Sequence, residues 1–230
     1  MDWRRSISHH FPWIPAFKRE FVAARDSIVA TTGGSQCGED LRILKWLFDR
    51  GIAPTETRYV EVGANQPTQL SNTWRLYQGG GRGMLIEPDS RCTPLLRRWR
   101  PRDLVIEAMA GQTNGASTLF LHKHTTMNAS AIDNPDLFIG QRLVPIVMLD
   151  SLEEALSAND HWPIVHLVSI DTEGSELSVL AGAQSLLRKT LLVCLEHWGS
   201  KQLIEKFRSA LPSGFEIAFE TRMNVVFSKA

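Results

Sequence analysis

Apolar and polar residues follow two different rhythms along most of the chain, from about residue 35 onward. Segments with apolar residues at helical spacing predict helices at residues 39–50, 71–77, 93–99, 151–156, 175–187 and 201–211. Short apolar runs between them predict strands at residues 58–62, 83–86, 104–108, 165–170, 191–195, 216–219 and 224–227. This alternation predicts an α/β fold in which a mainly parallel sheet is covered by helices on both faces. The last two strands lie close enough in sequence for an antiparallel hairpin.

The regular alternation is interrupted between residues 109 and 150. Two additional predicted strands, residues 118–121 and 144–148, flank a polar stretch at residues 122–142. Segments of this length with little regular pattern are usually functional or mobile loops, so we expect this one to border a binding site. His122 and His124 would point the same way on a strand, but no third ligand follows at a suitable spacing, which disfavours a zinc site.

The first 34 residues lie outside this pattern. They are rich in large apolar side chains, namely Trp3, Phe11, Trp13, Phe17, Phe21 and Val22. That is too much apolar surface for a solvated tail. We therefore expect residues 1–34 to form a helical N-terminal extension, and residues 35–230 to form the functional domain. The extension would pack on the parent domain, on a partner subunit or at a membrane interface, and the sequence leaves these three open.

The composition excludes several classes of protein. Lys plus Arg (25) balance Asp plus Glu (25), so the net charge offers no attraction to nucleic acid. Cys37, Cys92 and Cys194 are spaced too widely for a disulfide framework or a C-x-x-C metal site. No apolar run approaches the roughly 20 residues of a membrane span. The N-terminus also lacks the apolar core of a signal peptide, so we expect a cytoplasmic protein.

One region departs locally from this charge balance. Five arginines are concentrated on a predicted helix and its exit, namely Arg91, Arg97, Arg98, Arg100 and Arg102. Because charge runs of this kind are usually solvated, we interpret the group as an exposed helix face rather than an anion site.

The residues that follow the predicted strands are the candidates for a binding site, because ligands of open parallel sheets lie beyond the carboxyl ends of the strands. Carboxylates follow four of the five strands concerned, and they are Glu61, Glu87, Asp89, Asp171, Glu173 and Glu196. The turn after the first strand reads G-A-N-Q-P-T and has one glycine where a diphosphate-binding turn has three. This disfavours a diphosphate ligand, and with it an NAD(P)-dependent oxidoreductase.

Two of these carboxylates suggest what the ligand is. Glu87 ends the second strand, where a carboxylate can accept hydrogen bonds from both hydroxyls of a ribose. Glu61 could bind an ammonium group near the same cleft. A ligand with a ribose, an amino-acid end and a positive centre is S-adenosylmethionine. The alternatives are that Glu61 faces solvent on an edge strand, and that residues 87–89 only form a turn.

Several segments resemble the FkbM-type methyltransferase family, a branch of the class I S-adenosylmethionine-dependent methyltransferases. They are SQCGED (35–40), VEVGANQP (60–67), SNT (71–73), GMLIEPD (83–89) and SIDTEGSELSVLAGA (169–183), in an order that runs over about residues 35–198. The resemblance implies a Rossmann-like fold, with a seven-stranded, mostly parallel sheet whose last strand is antiparallel. It also implies methyl transfer from S-adenosylmethionine, usually to a hydroxyl of a sugar or natural product.

The cofactor-binding residues expected from the strand ends and from the resemblance share the carboxyl edge of the sheet. They are Glu61, Gly63, Asn65, Glu87, Pro88, Met109, Ala110 and Asp171, with Gln36 and Asp40 closing the pocket. Some of these positions have a structural alternative. Glu39 and Asp40, in the first turn of a helix, could stabilise its N-terminal dipole, and Asn65 could only tie the turn together. Asn72 and Thr73, just after this turn, could either cap the following helix or have a functional role.

Methyl transfer to a hydroxyl requires in-line alignment and removal of the hydroxyl proton. Asp171 is the first candidate for the base, and His197 and Glu196 are the others. Alternatively, Asp171, Glu173 and Glu196 together hold Mg²⁺ or another divalent cation that lowers the pKa of the acceptor hydroxyl. Both mechanisms stay open, as does a dipole-stabilising role for Glu173.

The sequence therefore predicts an S-adenosylmethionine-dependent O-methyltransferase that acts on a hydroxyl of a sugar, glycan or natural product. Its expected partner is this acceptor rather than nucleic acid, and a homo-oligomer is possible. The alternatives are an NAD(P)-dependent Rossmann oxidoreductase and a non-catalytic binding module that retains the methyltransferase fold.

Overall fold

The structure, a computed structural model, describes residues 33–123, 137–152 and 162–229. Its centre is a seven-stranded sheet formed by β1 (Arg58–Val62), β2 (Arg82–Ile86), β3 (Leu104–Ile106), β7 (Val165–Ile170), β8 (Thr190–Glu196), β9 (Phe215–Glu220) and β10 (Asn224–Lys229). The strand order is β3-β2-β1-β7-β8-β10-β9. The pairings among β1, β2, β3, β7 and β8 are parallel, whereas β10 runs antiparallel to both of its neighbours. The predicted sheet, its antiparallel last strand and the final hairpin are confirmed.

Six α-helices have both of their ends in these parts of the chain. They are α1 (Glu39–Phe48), α2 (Trp74–Gln78), α3 (Thr93–Trp99), α4 (Glu176–Ala181), α5 (Gln184–Arg188) and α6 (Lys201–Ala210), with a 3-10 turn at Pro54–Glu56. Most of the helix predicted at residues 151–156 lies outside the described residues. The single helix predicted at residues 175–187 is two helices. The break falls at Gly182, where a Cβ would lie 2.0 Å from the carbonyl oxygen of Gly111, so only glycine fits there, and glycine is a poor helix former.

The side chains of the central strands alternate between two apolar layers, as expected for a sheet covered on both faces. Val60, Val168 and Val193 point to the layer that packs against α4, α5 and α6. Tyr59, Leu167 and Leu192 point to the opposite layer, which packs against α1, α2 and α3. The prediction of helices on both faces is therefore confirmed.

A second, three-stranded sheet interrupts the alternation of strands and helices. It consists of β4 (Met109–Ala110), β5 (Gly115–His122) and β6 (Phe138–Val147), in the order β4-β6-β5. The strand predicted at residues 104–108 is therefore too long: β3 ends at Ile106, and Met109 and Ala110 pair with β6 instead. The predicted polar stretch is partly strand, because β6 begins at Phe138. Residues 124–136, with His124, lie outside the described residues.

The interpretation of the arginine group as a solvated face is wrong for one member. Arg97 and Arg98 are exposed on α3, but Arg100, which follows the helix, is completely buried. The chain turns inward after Trp99, and the guanidinium group of Arg100 meets the carboxylates of Glu61 and Asp103. The local charge pattern gives no sign of this reversal, because Glu61, 39 residues away, comes from another part of the chain, although Asp103 is only three residues away.

The N-terminal extension expected at residues 1–34 falls outside the described residues, apart from Gly33 and Gly34. Within the described part of the chain, no helix is long and apolar enough to cross a membrane.

Strands β1 and β7 approach each other very closely just beyond their carboxyl ends. Gly63 has a φ of 78°, and a Cβ at this position would lie 1.9 Å from the carbonyl oxygen of Asp171. The amide of Asp171 in turn donates to the carbonyl of Val62 at 3.0 Å. The glycine is therefore required by the neighbouring backbone, independently of any ligand.

We expect Gly63→Ala to destabilise the protein more than a change in backbone conformation alone would. Gly51 has a similar φ of 73°, but no atom lies within 4 Å of the point that its Cβ would occupy, so Gly51→Ala is the matched control. Conformation should cost about 1–2 kcal/mol in both variants, and the clash should cost Gly63→Ala about 2 kcal/mol more. Chemical denaturation measures both free energies of unfolding, and equal losses would contradict the close approach.

Candidate active site

Backbone strain marks the carboxyl edge of the central sheet as a specialised region. Among the described residues, four non-glycine residues have a positive φ, and they are Asn65 (43°), Leu70 (59°), Glu173 (54°) and Trp198 (51°). The first two lie in the loop after β1, and the others follow β7 and β8. Such conformations are rare and persist only where surrounding contacts enforce them, often at functional sites. The predicted binding edge therefore carries all of this strain.

Glu87 is a buried carboxylate at the end of β2. One of its oxygens accepts a hydrogen bond from the amide of Asn65 (2.8 Å), and the other accepts from the amide of Asp89 (2.7 Å). Burial raises the pKa of Glu87 to about 7, although both amides act in the opposite direction. Because each carboxylate oxygen has a further lone pair, Glu87 can still accept hydrogen bonds from a vicinal diol. The residue therefore fits a ribose.

Other expected cofactor residues lie next to Glu87. The amide of Glu87 donates to the carbonyl of Ile106 at 3.0 Å, which places the chain that leads to Met109 and Ala110 beside it. Ala110 is buried, and Met109 and Pro88 are half-buried. The structure thus brings the ends of β1, β2 and β3 together, and the individual contacts of these residues with a cofactor stay predictions.

Glu61 is buried beneath the loop formed by residues 63–73, which we term the cofactor loop. Its carboxylate accepts hydrogen bonds from the hydroxyl of Thr73 (2.6 Å) and from the amide of Asn72 (3.0 Å). It also accepts from the hydroxyl of Ser71 and forms an ion pair with Arg100 at 3.1 Å. The alternative of a solvent-facing residue on an edge strand is wrong, because β1 lies between β2 and β7 and Glu61 is 5% exposed.

The same contacts explain why the helix predicted at residues 71–77 begins later, at Trp74. Thr73 occupies the N-cap position but its side chain makes no capping hydrogen bond. The side chain of Asn72 instead donates to the hydroxyl of Ser169 at 3.0 Å. The capping role considered for Asn72 and Thr73 is therefore wrong, since both side chains bind the layer beneath the loop.

The segment at residues 33–40 packs against the cofactor loop. The amide of Gly34 donates to the carbonyl of Thr68 at 2.7 Å, and Asp40 accepts from Ser35 (2.7 Å) and from Arg75 (2.8 Å). The amide oxygen of Gln36 is buried without a hydrogen-bond partner among the described residues. A buried acceptor of this kind suits a polar ligand group, so this segment fits the expected closure of the pocket.

Glu39 fastens this segment to the far end of the sheet. Its carboxylate accepts hydrogen bonds from the hydroxyl of Thr221 (2.6 Å) and from the side-chain amide of Asn224 (3.0 Å). The dipole interpretation of the first turn of α1 is therefore incomplete. The acidic residues also link the N-terminal segment to the turn between β9 and β10.

Three carboxylates converge at the ends of β7 and β8. One oxygen from each of Asp171, Glu173 and Glu196 lies within 4.8 Å of the others. Asp171 is half-buried, Glu173 is exposed and Glu196 is buried, so the group opens outward from the sheet. Hard divalent cations such as Mg²⁺ bind oxygen ligands of this type. The arrangement fits a cation or a proton acceptor, and the roles of the three residues stay predictions.

Glu176 is a residue whose function the sequence did not reveal. Its carboxylate accepts hydrogen bonds from the amides of Thr172 (3.1 Å) and Gly174 (3.0 Å) and from the hydroxyl of Thr172. These bonds hold the turn that carries Glu173 in its left-handed conformation. Its place in the first turn of a helix favoured a helix-dipole role from the sequence, and spacing alone gave no sign of these contacts.

His197 is buried after β8 and has one ring nitrogen engaged. Its Nδ1 accepts a hydrogen bond from the amide of Gly199 at 2.9 Å, which places the proton of the neutral ring on Nε2. Burial lowers the pKa of His197 below its ordinary value. The neutral ring would have to release the Gly199 amide before Nδ1 could take a proton.

Comparison with known proteins defines the family. A model described as "Methyltransferase FkbM domain" matches residues 61–213, more than half of the 230-residue chain. No curated protein matches the chain significantly.

The solved structures that match the chain do so at low sequence identity. A TehB-like SAM-dependent methyltransferase from Corynebacterium glutamicum is 13% identical, with 92% of this chain and 97% of that chain covered and a TM-score of 0.46. An O-methyltransferase from Bacillus cereus in complex with SAH is 12% identical over 91% and 88%, with a TM-score of 0.47. A putative RNA methyltransferase from Pyrococcus horikoshii is 11% identical over 83% and 82%, with a TM-score of 0.45. The family assignment rests on the match to residues 61–213, and on that basis the chain belongs to the FkbM family of S-adenosylmethionine-dependent methyltransferases.

Proposed function

We propose that this methyltransferase transfers the methyl group of S-adenosylmethionine to a hydroxyl of a sugar, a glycan or a natural product. The observation that carries the proposal is the carboxylate group of Asp171, Glu173 and Glu196, whose oxygens lie within 4.8 Å of one another at the ends of β7 and β8. A hydroxyl must lose its proton as it is methylated, and carboxylates can take this proton or hold a cation that acidifies the hydroxyl.

In this proposal the cofactor lies across the carboxyl ends of β1 and β2 and supplies an electrophilic methyl group. Glu87 accepts the ribose hydroxyls, and Gly63, Asn65 and Pro88 line the adjoining turn. Met109 and Ala110 border the same cleft, which Gln36 and Asp40 help to close. The buried carboxylate of Glu87 and the buried amide oxygen of Gln36 support this arrangement.

Asp171 is the preferred base. It follows β7, next to the cofactor loop, and its half-buried position leaves it accessible to an acceptor. His197 suits the role less well, because its Nδ1 already accepts the Gly199 amide and burial lowers its pKa. Glu196 is buried beneath the group and is better suited to orient Asp171 or to share a cation with it.

The family match argues against both alternative functions that were considered from the sequence. It favours a methyltransferase over an NAD(P)-dependent oxidoreductase, and an enzyme over a non-catalytic binding module. The remaining question is the class of the methyl acceptor, because methyltransferases act on nucleic acids as well as on small hydroxyl compounds. Equal numbers of basic and acidic residues, 25 of each, favour the smaller or neutral acceptor.

We expect methyl transfer to a hydroxyl compound. The test incubates the protein with radiolabelled S-adenosylmethionine and a panel of sugars, polysaccharides, hydroxylated natural products and RNA. The label should enter a hydroxyl-bearing compound, and NMR of the product should show a methyl group on oxygen. Label found only in RNA, or on nitrogen or carbon, would contradict the proposal.

Glu87→Gln should weaken S-adenosylhomocysteine binding at least tenfold and abolish its pH dependence. The carboxylate is the better acceptor for hydroxyl donors, so ligand binding favours its ionised form. With a pKa of about 7 in the free protein, the affinity of the wild type should rise about tenfold from about pH 6 to about pH 8 as Glu87 ionises. Calorimetry at several pH values measures this.

The control for this measurement is Glu107→Gln. Glu107 follows β3 nearby, but its carboxylate binds Thr93 (2.7 Å) and Arg142 (2.8 Å). This variant should retain the affinity and pH dependence of the wild type. A pH dependence that persists in Glu87→Gln would remove Glu87 from the ribose site.

Asp171→Asn should leave S-adenosylhomocysteine affinity within about twofold of the wild type while turnover falls at least tenfold, or about 1.4 kcal/mol in barrier height. The amide preserves the shape of the side chain but cannot take the proton. Glu205→Gln, an exposed change on α6, is the control. Turnover with the acceptor found above is the measurement, and near-normal turnover would exclude Asp171 from the chemistry.

The same assay separates the two mechanisms. If a divalent cation is held, chelation should abolish turnover of the wild type, and Glu173→Gln should be as impaired as Asp171→Asn. If Asp171 acts as a base without metal, turnover should survive chelation, and Glu173→Gln should remain active.

A further inference from the structure

Arg100 makes more buried polar contacts than its position after a surface helix would suggest. A guanidinium group has five N–H donors in a fixed planar arrangement. In the structure each donor meets an acceptor, and these are Asp103 (2.7 Å), Glu61 (3.1 Å), the hydroxyls of Ser71 (3.2 Å) and Thr73 (2.7 Å), and Tyr59 (3.2 Å). The side chain is 0% exposed. Arg100 therefore joins two separate groups of residues.

The first group anchors Arg100 to the rigid sheet. Asp103 accepts hydrogen bonds from the hydroxyl of Tyr59 in β1 (2.9 Å) and from the amide of Gly83 in β2 (2.7 Å). Burial lowers the pKa of Arg100, but the neighbouring Glu61, Tyr59 and Asp103 raise it by more. The pKa is therefore above its ordinary value, and the guanidinium remains charged. A buried ion pair of this kind has little tolerance for the loss of one partner.

The second group belongs to the cofactor loop. Ser71 and Thr73 each accept from Arg100 and each donate to Glu61, and the amide of Asn72 also donates to Glu61. This end of the loop is therefore held by one carboxylate and one guanidinium together. The other end is held at Glu87, through the amide of Asn65.

Both strained residues of the loop lie at or between these two anchors. Asn65 and Leu70 have φ values of 43° and 59°. Left-handed conformations at such residues require restraint from outside. The contacts at Glu61 and at Glu87 supply that restraint from the two ends.

We propose that Arg100 is a positioning residue for the cofactor loop, acting through Glu61, and that Glu61 anchors the loop rather than binding the ammonium group of S-adenosylmethionine. The inference rests on the proposed placement of the cofactor beside Glu87 and Asn65. Glu61 lies on β1 one residue after Val60 and two after Tyr59, so it shares the face of Tyr59, the layer beneath α1, α2 and α3. Its carboxylate is already paired with Arg100 and accepts hydrogen bonds from Ser71, Asn72 and Thr73, which lowers its value as a counterion for a ligand.

The test compares Arg100→Lys and Glu61→Gln with Tyr59→Phe. Lysine keeps the charge but has three donors on a single nitrogen, so it cannot bridge Asp103, Glu61 and Thr73 at once. Tyr59→Phe removes a partner of Arg100 on the sheet side without touching the loop, and it controls for a general loss of stability. Arg98→Lys, an exposed change on α3, controls for the substitution itself.

Hydrogen exchange in the ligand-free proteins gives the first readout. In Arg100→Lys and Glu61→Gln the amides of residues 64–73 should exchange at least tenfold faster than in Tyr59→Phe, while the amides of β7 and β8 exchange alike in all three. Loop exchange that matches the Tyr59→Phe control would overturn the proposal, whatever the cofactor. If Arg100→Lys does not fold, Thr73→Val, which removes one loop contact to each partner, should show the same effect at smaller size.

Calorimetry with two ligands gives the second readout. S-adenosylhomocysteine has the amino-acid end, and 5′-methylthioadenosine lacks it. If Glu61 positions the loop, Glu61→Gln should weaken both ligands by a similar factor of at least ten. If only S-adenosylhomocysteine is weakened, Glu61 is a direct partner of the ammonium group and the proposal is wrong. Failure of the wild type to bind either ligand would count against the proposed function instead, and the exchange readout would still decide the role of Arg100.

Discussion

The ion pair between Arg100 and Glu61 joins the central sheet to the loop that crosses its carboxyl edge. Both groups are nearly or wholly removed from water, at 0% and 5% exposure, where an isolated charge would be very costly. The cost is offset only because Asp103, Tyr59 and the hydroxyls of the loop complete the hydrogen bonding. The conformation of the loop and the stability of the polar layer beneath it are therefore coupled, and neither can be altered without the other.

A similar coupling runs through the rest of the candidate site. The amide of Asn65 connects the cofactor loop to Glu87, and Glu176 fixes the turn that carries Glu173. Buried carboxylates thus have one of two roles in this site. Some are candidates for ligand contacts, and others anchor short turns. The two kinds cannot be separated by residue type, and only their hydrogen-bond partners distinguish them.

Much of the fold could be predicted from the sequence because each central strand is a short, mostly apolar segment and each major helix has its own apolar stripe. Errors arose where a distant segment decides the outcome. The strand predicted at residues 104–108 ends at Ile106, because Met109 and Ala110 just beyond it pair with β6. The predicted helix at residues 175–187 breaks at Gly182, where the backbone of Gly111 leaves room only for a glycine, a poor helix former. Arg100 reads as solvated because its acidic partners are up to 39 residues away.

The candidate site shows the same division. Ligands of parallel sheets lie beyond the carboxyl ends of the strands, and the residues that follow all parallel strands share one edge. This position in the sequence was enough to identify the relevant carboxylates. It did not show that Glu61 points into the helix-covered layer, or that Nδ1 of His197 is already engaged. These features depend on side-chain orientation and on backbone turns, which residue spacing alone does not determine.

The link between Glu39 and the last hairpin also bears on how the protein is made. The contacts of Glu39 with Thr221 and Asn224 join residues 182 and 185 positions apart, and β9 reaches the central sheet through β10. During synthesis, the N-terminal wall of the cleft therefore has no final docking surface until residues 221–224 have left the ribosome. The parallel strands β1, β2, β3, β7 and β8 all precede these residues and can pair first, so the site would be completed in a late, long-range step.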